Sequence, residues 1–341
     1  MLPLPPDLYY YGFSWRKSRI LKTFLPEARL KKARTLSALP DTTSILLWGA
    51  CVVSPREMQR LHIIRVEDGF LRSIGLGAAL SKPVSWVFDD VGMYFDATQP
   101  SRLEHILLNA SFSDTLMKRA DDLREKIVLQ HITKYNLASN NTWHTWKRPD
   151  TAQEVLLVVG QVEGDASIQT GSPVIKRNQD FLRQIRLDFP KAYIVYRPHP
   201  DVVHGWRLES THASLYAELA DSVSCEGSIT ELFADVDAVC VMTSLAGFEA
   251  LLRGKKVYCY GQPFYAGWGL TQDAYPINRR NKILSLNALI AGALIEYPRY
   301  RSLSQPSRLI EVEAAIDELI LQRSKGYYLR GQNLFKFFLK H

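Results

Sequence analysis

The residues best suited to chemistry include a pair of neighbouring acidic side chains early in the chain. Glu67 and Asp68 stand between Arg65 and Arg72. Two adjacent carboxylates flanked by arginines are costly to place unless they contact something. One of them could take a proton from an incoming hydroxyl group. The alternative interpretation is an arginine–carboxylate network that ties a loop to a sheet.

A further carboxylate, Asp165, lies in the later stretch Gly160-Gln161-Val-Glu163-Gly164-Asp165. The first glycine permits a sharp turn after the apolar run that precedes it. A carboxylate on such a loop could stabilise positive charge at the anomeric carbon of a sugar, or attack that carbon. The alternative is an Asx-turn or a helix cap, for which Gly-Asp is a common sequence.

The sequence Arg197-Pro-His199-Pro200-Asp follows a third apolar run. The two prolines hold the backbone around His199 in extended or turn geometry. An imidazole fixed in this way can donate a hydrogen bond to a phosphate oxygen, and Arg197 adds positive charge nearby. By itself the His-Pro dipeptide is weak evidence.

Thr243 and Ser244 precede a helical pattern that Gly254 closes. Their hydroxyls can cap the helix, whose free N–H groups and positive end form a phosphate site. Glu249, near the second turn, could accept hydrogen bonds from ribose hydroxyls. The alternative for Glu249 is an i,i+4 ion pair with Arg253, which does not exclude the first role.

A metal site is not expected. Asp235-Val-Asp237 has the DxD spacing of metal-dependent sugar transferases, but it precedes its predicted strand and so belongs at the wrong edge of a sheet. No clustering of His, Cys and Asp suggests zinc or iron. We therefore predict neither a metal nor a cofactor.

The elements that would position these residues follow an alternation of short apolar runs and helical patterns. This alternation predicts an α/β fold with parallel sheets wrapped by helices. In the first half we predict strands at residues 45–48, 62–66 and 84–88 and helices at 100–108 and 114–130. In the second half we predict strands at 155–159, 192–196, 238–242 and 256–260 and helices at 178–188, 213–219 and 245–253.

Polar residues 138–150 read as a linker, which predicts domains at 1–150 and 151–322. Both would be Rossmann-like, and their strands would end at a central cleft where ligands of open α/β sheets bind. Residues 323–341 form a tail with five basic residues, five aromatics and no acid. Such a composition suits an anionic membrane surface, although an ordinary closing helix explains it too.

Composition narrows the class of partner. The chain has 341 residues and a net charge of +7, which favours anionic ligands. Its four cysteines lack CxxC spacing, so we expect buried thiols in a reducing cytoplasm. Apart from the tail, the basic residues form no strong patch, which disfavours nucleic acid. No apolar run is long enough to span a membrane, so any membrane contact is expected to be peripheral, at the inner face.

Several motifs together resemble the capsule polysaccharide β-Kdo transferases of the KpsC type. They occur in the same order from about Tyr10 to about Tyr300. Their sequences resemble the second module of the tandem proteins more than the first. The motifs are Glu67-Asp-Gly-Phe-Leu-Arg-Ser, Tyr94-Phe-Asp-Ala-Thr-Gln-Pro-Ser, Gly160-Gln-Val-Glu, Arg197-Pro-His-Pro-Asp, Thr243-Ser-Leu-Ala-Gly-Phe-Glu-Ala-Leu-Leu and Tyr260-Gly-Gln-Pro-Phe-Tyr-Ala-Gly-Trp-Gly-Leu-Thr.

The resemblance implies a GT-B-like enzyme that transfers Kdo from CMP-Kdo, with retention and without metal, to a lipid-linked Kdo acceptor. Asp165 matches the nucleophile, and Glu67 and Asp68 match the acceptor-side carboxylates. Gly164 departs from the pattern, because an acidic residue is expected there. The implied contacts to CMP are His199, Ser244 and Glu249, with Gln161, Arg197, Pro200 and Thr243 beside them.

Two other functions remain open at this stage. One is a CMP-sialic acid transferase, which uses a similar His-Pro element and the same nucleotide. The other is a non-catalytic module that binds a glycan within a capsule assembly complex. Intact Asp165 and Glu67 argue against the second, because a retired active site usually loses its carboxylates.

Overall fold

The computed structural model describes residues 2–75, 81–109, 111–136, 146–199, 216, 218–225 and 227–325. The strands are β1 (Asp7–Tyr11), β2 (Arg29–Lys32), β3 (Ser44–Trp48), β4 (His62–Asp68), β5 (Ser85–Asp89), β6 (Val155–Val159), β7 (Tyr193–Arg197), β8 (Ser222–Val223), β9 (Ala238–Val241), β10 (Lys256–Cys259), β11 (Gln272–Asp273), β12 (Pro298–Arg301) and β13 (Leu309–Ile310).

The helices are α1 (Trp15–Phe24), α2 (Pro55–Arg60), α3 (Arg102–Asn109), α4 (Asp114–Leu129), α5 (Ala166–Gly171), α6 (Asn178–Asp188), α7 (Ile229–Asp235), α8 (Leu245–Leu252), α9 (Leu286–Ile290) and α10 (Val312–Ser324). A π-helical segment, Ala291–Glu296, continues α9. The predicted α/β class is confirmed, and the predicted strands recur within two residues of their bounds. The helix predicted at 213–219 lies mostly outside the described residues.

The second sheet is parallel throughout, in the spatial order β11-β10-β9-β6-β7-β8. When the six strands are numbered 1 to 6 in chain order and read from the β8 edge, they follow the doubly wound order 3-2-1-4-5-6. Ligands of such sheets bind in a crevice where the order reverses. The reversal falls between β6 and β9. Both strands are buried along their whole length, which explains their uninterrupted apolar sequences.

The first sheet has seven strands in the order β13-β12-β5-β4-β3-β1-β2. Strands β1 to β4 pair in parallel, but β5 is antiparallel to both of its neighbours. The expectation of a parallel sheet is therefore wrong for this half. A buried apolar run such as β5 reads the same in either direction, so its sequence does not reveal which way it is paired.

The chain returns to its first sheet near the end. Strands β12 and β13 pair beside β5, although residues 298–310 fall within the predicted second domain. Apolar residues from both halves then form one continuous core, to which Phe70, Leu157 and Trp268 belong. The pairing of β12 with β5 joins residues more than 200 positions apart, which local patterns cannot show.

The predicted tail begins as part of a docked helix. Arg323, in the last turn of α10, donates a hydrogen bond to the carbonyl of Gln130 at the end of α4, with a distance of 2.7 Å. Residues 326–341 lie outside the described residues. Within the described part of the chain, no helix is long and apolar enough to cross a membrane.

All four cysteines are free thiols. Cys240 and Cys259 are buried as expected, whereas Cys51 is half-buried and Cys225 is exposed. The expectation of four buried thiols is therefore wrong for Cys225. That residue follows the edge strand β8, where no further strand covers it among the described residues.

Candidate active site

The switch point of the second sheet is bridged by two side chains. The Gln161 amide nitrogen donates to the Thr243 hydroxyl at 2.9 Å, and the Thr243 backbone N–H donates to the Gln161 amide oxygen at 2.7 Å. Asn178 holds the Gln161 backbone from the other side, with bonds of 2.9 and 2.8 Å. Gln161, predicted to contact the nucleotide, therefore joins the loop after β6 to the loop after β9 at the switch point.

Asp165 lies on the loop between β6 and α5, at the N-cap position of α5. It is half-buried, and its side chain makes no capping hydrogen bond to that helix. Gly164, just before it, has a φ of +93°, a conformation that favours glycine. An acidic residue here, as the resemblance led us to expect, would be strained. The helix-cap interpretation of Asp165 is thus wrong for its side chain.

Glu163 has a different role from Asp165. Its carboxylate accepts a hydrogen bond of 2.7 Å from the backbone N–H of Asn178, the first residue of α6. Carboxylates at this position satisfy free N–H groups and favour the positive helix end. Of the two carboxylates on the loop, Glu163 is committed to the fold of α6.

The segment after β7 combines a structural arginine with a histidine near the crevice. The Arg197 guanidinium donates to the carbonyls of Ser224 at 2.9 Å and Gly227 at 2.7 Å, and burial lowers the pKa of Arg197. Arg197 therefore secures the segment after β8. His199 is half-buried two residues beyond β7, and Pro200 lies outside the described residues.

Helix α8 begins at the carboxyl end of β9. The Ser244 hydroxyl accepts a hydrogen bond of 3.2 Å from the Ala246 N–H, which confirms the predicted cap. The Tyr265 hydroxyl donates to the Ser244 carbonyl, and a Cβ at Gly247 would overlap that tyrosine. Close packing by Tyr265 thus fixes the amino end of α8 at the crevice.

Glu249 is buried and joins the two halves. One carboxylate oxygen accepts a hydrogen bond of 2.8 Å from the Lys134 backbone N–H, and burial raises the pKa of Glu249. Arg253 donates instead to the backbone carbonyls of Glu249 at 2.8 Å and Ile132 at 3.0 Å. The side-chain ion pair considered from the sequence is not made. Arg253, at the end of α8, therefore links this helix to the segment after α4.

In the first sheet, Glu67 and Asp68 form the last two positions of β4 rather than a loop beyond it. Asp68 lies in the network that the sequence offered as an alternative. Its two carboxylate oxygens accept from Arg72 Nε at 2.7 Å and from Trp86 Nε1 at 3.0 Å. Asp68 therefore ties the segment after β4 to β5.

Among the described residues, the Glu67 carboxylate has one hydrogen-bond partner, whereas the Asp68 carboxylate has two. One carboxylate oxygen accepts the Asp68 backbone N–H at 2.9 Å. Burial, together with the neighbouring Asp68 charge, raises the pKa of Glu67 to about 7. Gly49 allows the close approach, since a Cβ there would stand 3.0 Å from the other carboxylate oxygen. A carboxylate with this pKa can accept a proton near neutral pH.

Lys134 is a candidate site residue that was not predicted from the sequence. Its carbonyl accepts hydrogen bonds from the N–H groups of Arg72 at 3.0 Å and Ser73 at 3.2 Å, while its own N–H binds Glu249. Its half-buried ammonium group interacts electrostatically with Glu67 and Asp68. No periodic pattern marks it, because it stands in an irregular segment just before the predicted linker.

A buried ion cluster also escaped the sequence analysis. The Glu104 carboxylate on α3, only 3% exposed, accepts from Arg279 at 2.6 Å and from Arg280 at 2.9 Å. Arg280 reaches further, to the carbonyl of Ala266 at 2.8 Å. These contacts fasten the first half to the segments after β10 and β11, and removing one partner of such a buried cluster is costly.

The DxD sequence lies at the amino edge of the second sheet, as predicted. Asp237, just before β9, accepts from Arg148 at 2.9 Å and from the Val155 N–H at 2.8 Å. Over the described ranges, no group of three His, Cys, Asp or Glu side chains is arranged to hold a metal ion. Asp237 therefore anchors the start of β6.

Comparison with known proteins places this geometry in a family. Residues 43–300 match the family described as capsule polysaccharide biosynthesis protein. The capsule polysaccharide modification protein LipA of Neisseria meningitidis serogroup B is 45% identical over 93% of this chain and 46% of its own length. The lipopolysaccharide-processing protein LpsZ of Rhizobium meliloti is 42% identical over 94% of this chain and 75% of its own. The chain thus spans about half the length of LipA.

Two solved structures from Thermosulfurimonas dismutans KpsC are similar over nearly the whole fold. Its β-Kdo 2,7 transferase is 39% identical, with a TM-score of 0.78 over 93% of this chain and 99% of the other. Its β-Kdo 2,4 transferase is 29% identical, with a TM-score of 0.75 over 92% and 98%. The chain therefore belongs to the capsule polysaccharide biosynthesis protein family and is a module of the KpsC type.

Proposed function

We propose that this chain is a retaining β-Kdo transferase with the GT-B arrangement. It would move Kdo from CMP-Kdo to a Kdo-containing, lipid-linked acceptor in capsular polysaccharide biosynthesis. The observation that carries the proposal is a convergence at one sheet edge: Asp165, His199 and Ser244 follow β6, β7 and β9, the strands around the switch point. The similarity to two KpsC transferases supports Kdo as the sugar.

In the first step, a carboxylate oxygen of Asp165 attacks the anomeric carbon of the donor. A bond forms between that oxygen and the carbon, and the bond from the carbon to the phosphate oxygen breaks. CMP leaves with the electron pair. Its phosphate is stabilised by His199 and by the amino end of α8 at Ser244, which supply hydrogen bonds and positive potential.

In the second step, an acceptor hydroxyl oxygen attacks the same carbon from the face that CMP left. The bond to Asp165 breaks, the carboxylate is regenerated, and the hydroxyl proton passes to Glu67. The pKa near 7 supports this role for Glu67, because a base works best when its pKa lies near the operating pH. Two displacements on opposite faces give retention of configuration.

The mechanism proposed here needs neither a metal nor another cofactor. CMP departs as a phosphate monoester, so stabilising negative charge matters more than protonating the leaving group. His199 and α8 supply that stabilisation. Kdo carries its own carboxylate, which suits the net positive charge of the chain.

The test is to incubate the protein with CMP-Kdo and a Kdo-terminated lipid acceptor, with and without excess EDTA. We expect a mass increase of one Kdo in both cases and a β linkage by NMR. Loss of turnover with EDTA, restored by Mg²⁺ or Mn²⁺, would contradict the metal-free mechanism. Transfer from CMP-sialic acid but not from CMP-Kdo would contradict the choice of sugar, and binding without any transfer would indicate a non-catalytic module.

A further inference from the structure

Helix α1 presents an exposed basic and aromatic surface on the first half. Trp15, its first residue, is 64% exposed. The guanidinium groups of Arg19 and Arg16 lie 4.8 and 5.9 Å from the centre of the Trp15 ring. Helix α1 contains no acidic residue. Its positive charge is therefore not neutralised within the helix itself.

Lys17 extends this surface inward. Its ammonium nitrogen lies 3.4 Å from the centre of the Trp48 ring, and the side chain is half-buried. Among the residues that the structure describes, none accepts a hydrogen bond from this ammonium group or forms an ion pair with it. A half-buried ammonium group over an aromatic face is partly desolvated, and a charge-assisted hydrogen bond to it is stronger than one in bulk water. A carboxylate on a ligand would be a suitable acceptor for it.

This ammonium group is also connected to the candidate base. The charges of Glu67 and Asp68 act on Lys17 and oppose the lowering of its pKa by burial. Trp48, beneath Lys17, packs against Trp86 with ring centres 5.0 Å apart, and Trp86 donates to Asp68. Lys17 and Glu67 are therefore parts of one continuous cluster.

The fold explains why these residues meet. Strands β1, β3 and β4 are parallel neighbours, so their carboxyl ends lie at one edge of the sheet. Helix α1 begins four residues after β1, Trp48 ends β3, and Glu67 is the penultimate residue of β4. The surface is continuous with the place where the acceptor hydroxyl would be deprotonated.

We propose that Trp15, Arg16, Lys17, Arg19 and Trp48, here called the α1 cation surface, bind the acidic glycan chain of the acceptor. Lys17 meets the carboxylate of the sugar whose hydroxyl attacks, and Trp15 with its two arginines receives the next acidic sugar. Aromatic faces accept the apolar faces of sugars, and arginine and lysine bind carboxylates. The assignment rests on the proposed function in that the acceptor enters on the Glu67 side.

An anionic membrane is the other ligand that exposed tryptophan and arginine could serve. Lys17 favours the glycan. It is half-buried and acts electrostatically on Glu67 and Asp68, whereas a flat headgroup layer would meet only exposed side chains such as Trp15 and Arg19. The membrane interpretation is therefore one outcome of the test below.

The test measures binding of a soluble Kdo oligosaccharide by calorimetry, which needs no turnover. Lys17→Met should weaken binding at least about tenfold, the effect of losing one charge-assisted hydrogen bond. Lys22→Met is the matched control, because Lys22 is exposed on the same helix and its loss changes the net charge equally. It should bind as the wild type does. Arg19→Gln, at an exposed position, provides a second variant that leaves the core intact.

A carboxyl-reduced oligosaccharide should bind wild type and Lys17→Met equally weakly, and CMP affinity should be unchanged in every variant. Equal oligosaccharide binding by Lys17→Met and Lys22→Met would overturn the proposal. The proposal would also be overturned if Lys17→Met or Arg19→Gln bound the oligosaccharide as the wild type does but lost binding to phosphatidylglycerol vesicles. That result would identify a membrane surface. If the wild type binds the oligosaccharide but transfers nothing from CMP-Kdo, the proposed function fails while the glycan surface stands.

Discussion

The two sheets place the candidate site residues in different ways. In the parallel second sheet, Asp165, His199 and Ser244 stand on loops beyond the strand ends, so topology alone gathers them. In the mixed first sheet, Glu67 belongs to a strand, and its properties depend on what surrounds it. Parallel topology thus makes the placement of these residues predictable from motif positions. The raised pKa of Glu67, in contrast, comes from burial and the neighbouring charge of Asp68.

The sharpest way to break this comparison is to remove Asp165. Asp165→Ala should reduce transfer by about a thousandfold or more, the effect of losing a nucleophile, while CMP binding persists. Glu163→Gln is the matched control on the same loop. It weakens the contact with the start of α6 but should leave transfer within a few-fold of the wild type. Near-normal turnover by Asp165→Ala would contradict the assignment.

A direct sign of the nucleophile is available as well. Protein quenched during turnover should carry one Kdo on the peptide that contains Asp165, detected by mass spectrometry. An adduct on Glu163 instead would show that Glu163, and not Asp165, is the nucleophile.

Glu67 tests the acceptor side. If it accepts the proton, kcat/KM for the acceptor should fall as pH drops below about 7, and Glu67→Gln should remove this limb and reduce transfer about a hundredfold or more. Stability gives a second measurement. Because the folded protein raises this pKa from 4.5 to about 7, ionising Glu67 destabilises the fold as pH rises through that window.

In Glu67→Gln this contribution to the pH dependence of unfolding should disappear between pH 4.5 and 7. Asp68→Asn is the comparison variant, since Asp68 binds Arg72 and Trp86 and should chiefly affect stability. An unchanged acid limb in Glu67→Gln would show that another group takes the proton.

Glu249 distinguishes a structural joint from a nucleotide contact. Glu249→Ala leaves the half-buried Lys134 N–H without its acceptor and should lower the free energy of unfolding by about 1–3 kcal/mol. Glu249→Gln keeps an acceptor oxygen and should remain nearly as stable. If the second carboxylate oxygen also binds the ribose, Glu249→Gln should weaken CMP binding about tenfold, measured by calorimetry. Unchanged CMP affinity would leave Glu249 as a joint only.

The smallest effect is expected from residues 326–341, which contain three basic residues, five aromatics and no acid. At about 1 kcal/mol for each basic residue near an anionic surface, they could support reversible association with the inner membrane face. Truncation after Lys325 preserves the contact between Arg323 and Gln130. It should reduce binding to phosphatidylglycerol vesicles at low salt and spare reaction with a soluble acceptor. Equal vesicle binding by the truncated protein would show that residues 326–341 do not contribute to membrane binding.

Most elements of the second sheet were predictable. Strand β6 and helix α6 were predicted at their observed bounds, because buried parallel strands and amphipathic helices have strong local patterns. The positions of Asp165, His199 and Ser244 beyond strand ends followed from the same patterns. Strands β12 and β13 were missed, since short strands paired with distant residues have no periodic signal of their own.

The sequence by itself determined which residues could do chemistry. It also determined the succession along the chain of the second-half strands and helices that present them. The tertiary structure decided which of them are committed to the fold: Glu163 to α6, Arg197 to the carbonyls after β8, and Asp68 to Arg72 and Trp86. It also brought Lys134 and Lys17 close enough to act on Glu67. Burial and long-range charge depend on neighbours distant in sequence, and local pattern contains no information about them.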